Sequence, residues 1–162
     1  MSVKHTEHSV KNARLVKMGI EPPSNWDNLE EVRAVLKQEI GVACTSAIYA
    51  GVEVVGKRYS LTEHDQTELV AQFQAIKEGA LAVPYHADGE LCRIYSAAEF
   101  APVANAAFAH VFYHRTYCNH LNAWVKRATM KQLNGISYGA ELPKDLAESM
   151  ATILAATGGV TA

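Results

Sequence analysis

No apolar run in this chain reaches the roughly 18 residues that a membrane-spanning helix needs. The N-terminal stretch MSVKHTEHSVKN also lacks the apolar core of a secretory signal. Basic residues are neither in excess nor clustered. Fifteen Lys and Arg stand against seventeen Asp and Glu, for a net charge of -2, so no basic footprint points to nucleic acid. Cysteine is scarce: Cys44, Cys92 and Cys118 form an odd, widely spaced set with no CxxC pair. That pattern favours reduced thiols in a protein made in a cytosol over a disulfide framework. A GxSxG elbow and a glycine-rich phosphate loop are both missing. What the chain does have is 162 residues at 49% hydrophobic, enough for one ordinary domain with a real core.

The most organised stretch runs from Ser96 to Ala128. One apolar series passes through Val103, Ala107, His110, His114, Tyr117, Leu121 and Trp124. A second passes through Phe100, Ala104, Ala107, Val111, His114, Cys118, Leu121 and Val125. Both step by threes and fours, which predicts one long amphipathic helix with His114 on the centre line of its buried face. Ser96 and Glu99 form a capping box at its start, and Pro102 predicts a break and restart of the first turn.

The rest of the chain divides around that helix. Residues 1–23, closed by Pro22-Pro23, read as an arm or short helix with a linker, outside the core. Residues 24–134 form the core domain, and residues 135–162 a short helix with a frayed tail. Ser24 or Asn25 caps a helix carrying Trp26, Leu29, Val32, Leu36 and Ile40, which Gly51 ends. Val52 to Leu61 predicts a hairpin turning at Gly56-Lys57, with Val54 opposite Tyr59 and Val52 opposite Leu61. Thr62 caps a helix over 63–78, where acids such as Asp65 and Glu68 beside His64 suit the helix dipole. A second hairpin spans Val83 to Tyr95, turning at Asp88-Gly89, with Val83 facing Ile94 and Tyr85 facing Cys92. The sum is an α+β domain, helix-dominated, with three main helices and two short antiparallel hairpins.

Candidate chemistry centres on His110, His114 and Cys118, at i, i+4 and i+8 and spanning about 80° of helix surface. The histidine pair has the spacing by which one helix offers two ligands to zinc. Against a metal site, no carboxylate lies between or beside them to act as a base or to orient an imidazole. His120 lies about 120° away from His114. The favoured reading is therefore no catalytic residue, no cofactor and no metal, with the histidines hydrogen-bonded to tyrosines or backbone. Zinc held by His110, His114 and Cys118, in a metal-binding helical protein or a metal-dependent hydrolase, is the alternative. Cys118 on an apolar face reads as a small inert core residue. Tyr113, Tyr117 and Trp124 are the candidate contact residues, since an amphipathic aromatic packs at one end and stays wet at the other.

Three blocks, RYSLTEHDQTEL, VPYHADGELCRIYSAAEF and HVFYHRTYCNHLNAWV, follow one another in order. Together they resemble a small domain of unknown function encoded among bacteriophage tail genes. It accompanies baseplate and tail-fibre components in phages and prophages of Gram-positive hosts. The similarity covers about Val42 to Arg127. It implies a virion protein of the tail, made in the host cytoplasm, that binds other tail or baseplate proteins and forms a homo-oligomer, a trimer foremost. No catalytic activity comes with the resemblance, and the charge balance and lack of a long apolar run point away from nucleic acid and membrane. A fibre-assembly chaperone absent from the finished particle is the other role such a surface could serve.

Overall fold

A computed structural model describes residues 3–157. The expected frayed tail falls on residues 158–162, outside the described part. The described residues hold helices α1 (Val3–Lys17), α2 (Leu29–Tyr49), α3 (Glu63–Lys77), α4 (Ala97–Arg127), α5 (Met130–Leu133) and α6 (Lys144–Ala156). Strands β1 (Val52–Val54) and β2 (Lys57–Tyr59) form one two-stranded antiparallel sheet, and β3 (Ala82–Tyr85) and β4 (Arg93–Ser96) another. The fold is α+β and helix-dominated; beside the three expected helices α2, α3 and α4, α1 is as long as α3, 15 residues each. No described helix is long and apolar enough to cross a membrane. The chain separates into two compact units, Met1–Thr45 with Thr116–Ile153 and Ser46–Arg115 with Leu154–Ala162.

In the first unit, the N-terminal stretch is structured. Leu15 and Ile20 are buried with Val35, and Met18 and Trp26 pack on them. The end of α1 is a Schellman turn: Ile20 N donates to Leu15 O at 2.9 Å, and Gly19 takes φ 72°. Trp26 is gripped by the same helix. Its Nε1 donates to Asn12 Oδ1 at 2.9 Å, His8 stacks on it at 5.1 Å, and Lys11 Nζ lies 5.5 Å from its ring centre. Of the arm or short helix expected outside the core, the helix is what forms, and it is packed, because burying Leu15 and Ile20 outweighs the polarity of the remaining positions. Helix α2 starts later than expected. Asn28, not Ser24 or Asn25, accepts from the backbone of Glu30 and Glu31, while Glu31 reaches back to Ser24 Oγ at 2.7 Å.

The second unit contains both hairpins. The first turns at Val55-Gly56, with φ of 51° and 69° and Val52 paired with Tyr59. The expected pairing of Val54 with Tyr59 is therefore corrected to Val54 with Lys57. The shift is an even one, so Val52, Val54 and Tyr59 keep a common face and Tyr59 is still buried. The second hairpin differs by one residue. Val83 pairs with Tyr95 and Tyr85 with Arg93, so Tyr95 points inward while Ile94 and Cys92 face out. A turn does form at Asp88-Gly89, closed by Glu90 N to Ala87 O at 3.0 Å. The loop from 86 to 92 carries one extra residue on the β4 side, which flips that strand.

Helix α3 begins at a capping box of Thr62 and Asp65. Helix α4 begins at the expected box, with Ser96 N donating to Glu99 Oε2 at 2.9 Å and Glu99 N to Ser96 Oγ at 3.2 Å. It runs unbroken through Pro102, correcting the expected break. Only the hydrogen bond to the Ala98 carbonyl is lost, and Ala98 is exposed to water. The core of this unit is an aromatic cluster. Tyr59 and Tyr95 share a hydroxyl–hydroxyl hydrogen bond of 3.2 Å, and Tyr85 meets Phe100 of α4 edge-on at 5.2 Å. Burial raises the Tyr59 and Tyr85 phenols above their ordinary range, so both stay neutral.

Candidate functional site

Helix α4 carries every side chain that the sequence singled out. Its histidine pair lies in the second unit. His110 Nε2 lies 2.9 Å from the carbonyl oxygen of Ala47. A carbonyl only accepts, so Nε2 is the protonated nitrogen and its lone pair is not available to a metal. The His110 and His114 rings meet edge-to-face, 4.4 Å between centres, and Tyr113 contacts His114 at 5.2 Å. His114 is half-buried on the centre line of the apolar face, between the fully buried Ala107 and Leu121. Desolvation, and secondarily the neighbouring His110, lower its pKa below the ordinary imidazole value. The neutral ring is the form the fold prefers.

Cys118 does not complete a ligand set with them. It lies in the first unit, is buried, and is bonded to Cys44 as a disulfide with a Cα–Cα distance of 6.4 Å. This corrects the expectation of reduced thiols. Odd number and wide spacing say nothing of which helices meet, and α2 brings Cys44 to bridging distance. A disulfide sulfur is neither a thiolate ligand nor a nucleophile. Cys92 remains the free thiol, exposed in the β3–β4 loop.

His120, about 120° around the helix from His114, is buried as well. Its Nδ1 lies 2.8 Å from Thr116 O on the same helix, and its Nε2 lies 3.2 Å from Ser149 Oγ on α6. Of the expected contact residues, Tyr117 is turned inward. Its hydroxyl donates to Ala140 O at 2.5 Å, accepts from Gly139 N at 3.0 Å, and its ring meets Tyr138 edge-on. It pins the segment after α5. Tyr113 and Trp124 are half-buried. Among the described residues no group of three or more His, Cys, Asp or Glu is placed to hold a metal ion.

A cavity of about 260 Å³ lies within the first unit, floored by Leu15, Val32, Leu36, Leu133 and Ile136 beside Trp26. Its rim charges are already engaged: Arg14 pairs with Glu39, and Lys11 Nζ donates to Asn134 Oδ1 at 3.3 Å. The sequence reading missed this groove, because α1 supplies one of its walls and had been placed outside the core. It also missed Val55, Leu81 and Leu91, large apolar side chains that are 93%, 87% and 92% exposed. No periodicity marks an apolar residue that faces water.

These features define a helix-dominated α+β domain whose helix histidines and disulfide are engaged in its own packing. Residues 31–136 match the domain of unknown function DUF4376, and the chain belongs to that family. No curated protein and no solved structure matches the chain.

Proposed function

We propose that this chain is a non-enzymatic structural or assembly component of a bacteriophage, or phage-tail-like, tail tip, baseplate or fibre. It acts through protein–protein contacts with other tail proteins and with copies of itself. All three sequence blocks that resemble tail-gene domains of Gram-positive phages and prophages lie inside the family segment, between Arg58 and Val125. The observation that carries the proposal is how the chain uses its side chains. The groups with most chemical potential, His110 and Cys118, are tied to Ala47 O and Cys44. The groups left at the surface include large apolar ones, as a protein that works by docking requires.

Peptide mass spectrometry of purified tail particles from a strain encoding the gene tests this. The protein should be found in the particle in a fixed ratio to its neighbours. If it binds fibre subunits in the lysate but is missing from particles, it is an assembly chaperone. Absence from both would overturn the proposal.

A further inference from the structure

The cavity of the first unit is apolar surface that the fold gathers and does not fill. Leu15 of α1, Val32 and Leu36 of α2, Leu133 of α5 and Ile136 just after it are all buried, yet they line about 260 Å³ of space. Water in that space meets a floor that offers it no hydrogen bond, so an apolar group is the better occupant.

The rim carries one charge that the chain does not neutralise. Arg14 and Glu39 cancel as an ion pair. Lys11 has no carboxylate within ion-pairing distance among the described residues. Its Nζ meets a neutral amide oxygen, Asn134 Oδ1 at 3.3 Å, and lies 5.5 Å from the Trp26 ring centre. Those contacts hold the ammonium at the cavity with its charge uncompensated and further protons to donate. Asn134 and Ser137 line the same cavity, and neither the Asn134 amide nitrogen nor the Ser137 hydroxyl bonds another described residue. A cation and two neutral donors above an apolar floor fit a carboxylate on a hydrocarbon body.

Size and walls narrow the class further. The volume falls below the roughly 300 Å³ at which pockets for drug-sized ligands begin, so the ligand has about ten non-hydrogen atoms. The floor is wholly aliphatic, and Trp26, the one aromatic ring in the lining, already carries His8 and Lys11. An alkyl chain therefore suits the cavity better than a ring. The walls are helices α1, α2 and α5 with the turn that follows, and no strand edge lies among them for a peptide backbone to pair with.

We propose that this cavity binds a medium-chain alkyl monocarboxylate. Its carboxylate is held by Lys11 with Asn134 and Ser137, and its chain lies on the aliphatic floor. The site belongs wholly to the first unit and is read with a small molecule, so it can fail without the tail assignment failing, and the reverse.

Methyl NMR of the full chain, titrated with octanoate and separately with octylammonium, tests it. Octanoate should shift the Leu15, Val32, Leu36, Leu133 and Ile136 methyls together, with a Kd on the order of 0.1–1 mM. Octylammonium, the same chain with the opposite charge, should bind at least about tenfold more weakly. Lys11→Met should erase the difference between the two while melting as the wild type does, and Lys11→Arg should keep it. No methyl shift up to about 10 mM octanoate, or equal binding of the two probes by the wild type, would overturn the proposal. So would a peptide ending in leucine that shifts these methyls where octanoate does not.

Discussion

Cys44 near the end of α2 and Cys118 in α4 are joined by a disulfide across 74 residues of sequence. Cross-linking that separation restricts the unfolded chain and stabilises the fold by about 2–4 kcal/mol. Thermal melts should show the loss on adding a reductant, and Cys44→Ala with Cys118→Ala should melt like the reduced wild type. Alkylation of the native oxidised protein should label Cys92 alone. Identical melts with and without reductant would mean that the bridge does not form.

Burial of His114 favours its neutral ring. Its folded pKa is thus below the value of 6.5 expected in the unfolded chain, and the unfolded state binds more protons. Stability from this group is complete above that unfolded value and is lost as pH falls through it toward the folded pKa. The melting temperature should drop between about pH 7.5 and about pH 5.5. His114→Gln should flatten the drop, leaving the remaining groups to set the slope. His114→Ala should cost about 1 kcal/mol at neutral pH. A variant that melts unchanged but no longer assembles would remove the packing role.

Helix α1 is part of the first unit, and that is testable at two adjacent residues. Leu15 is 1% exposed and Val16 is 64% exposed. Leu15→Ala should cost about 2–4 kcal/mol, while Val16→Ala should cost less than about 0.5 kcal/mol. A loose arm would make both neutral in denaturant unfolding.

Gly51 takes φ 74° after α2, and a Cβ there would sit 2.0 Å from the carbonyl oxygen of Tyr59. The clash is with backbone and has no cheap relief. Gly51→Ala should cost about 2–4 kcal/mol, whereas Gly41→Ala, with nothing within 4 Å, should be neutral or stabilising. Equal melts for the two would show that the α2–β1 junction is looser than described.

Much of this fold is legible in the sequence, for reasons that are local. The threes and fours of α4, the Ser96–Glu99 and Thr62 caps and the glycines at 51 and 79 each act within a few residues. The hairpin registers were less so. Which residue of Val55, Gly56 and Lys57 takes the left-handed positions is a choice between neighbours. The pull of Asp88 toward Ser60 joins residues 28 apart. The Cys44–Cys118 bridge is longer-range still, across 74 residues, and composition argues against both it and the docking of Trp26 on α1. At the candidate site, the His110–His114 pair was visible from spacing alone. The Ala47 carbonyl that fixes the His110 tautomer came from another helix and left no signal.

Native mass spectrometry of the purified chain, with and without a strong chelator, separates a contact protein from a metalloprotein most directly. The expected mass equals the polypeptide alone, in species of more than one chain, unchanged by the chelator. A monomer carrying one zinc or iron that the chelator strips away would contradict it and return His110 and His114 to the centre of a reaction site.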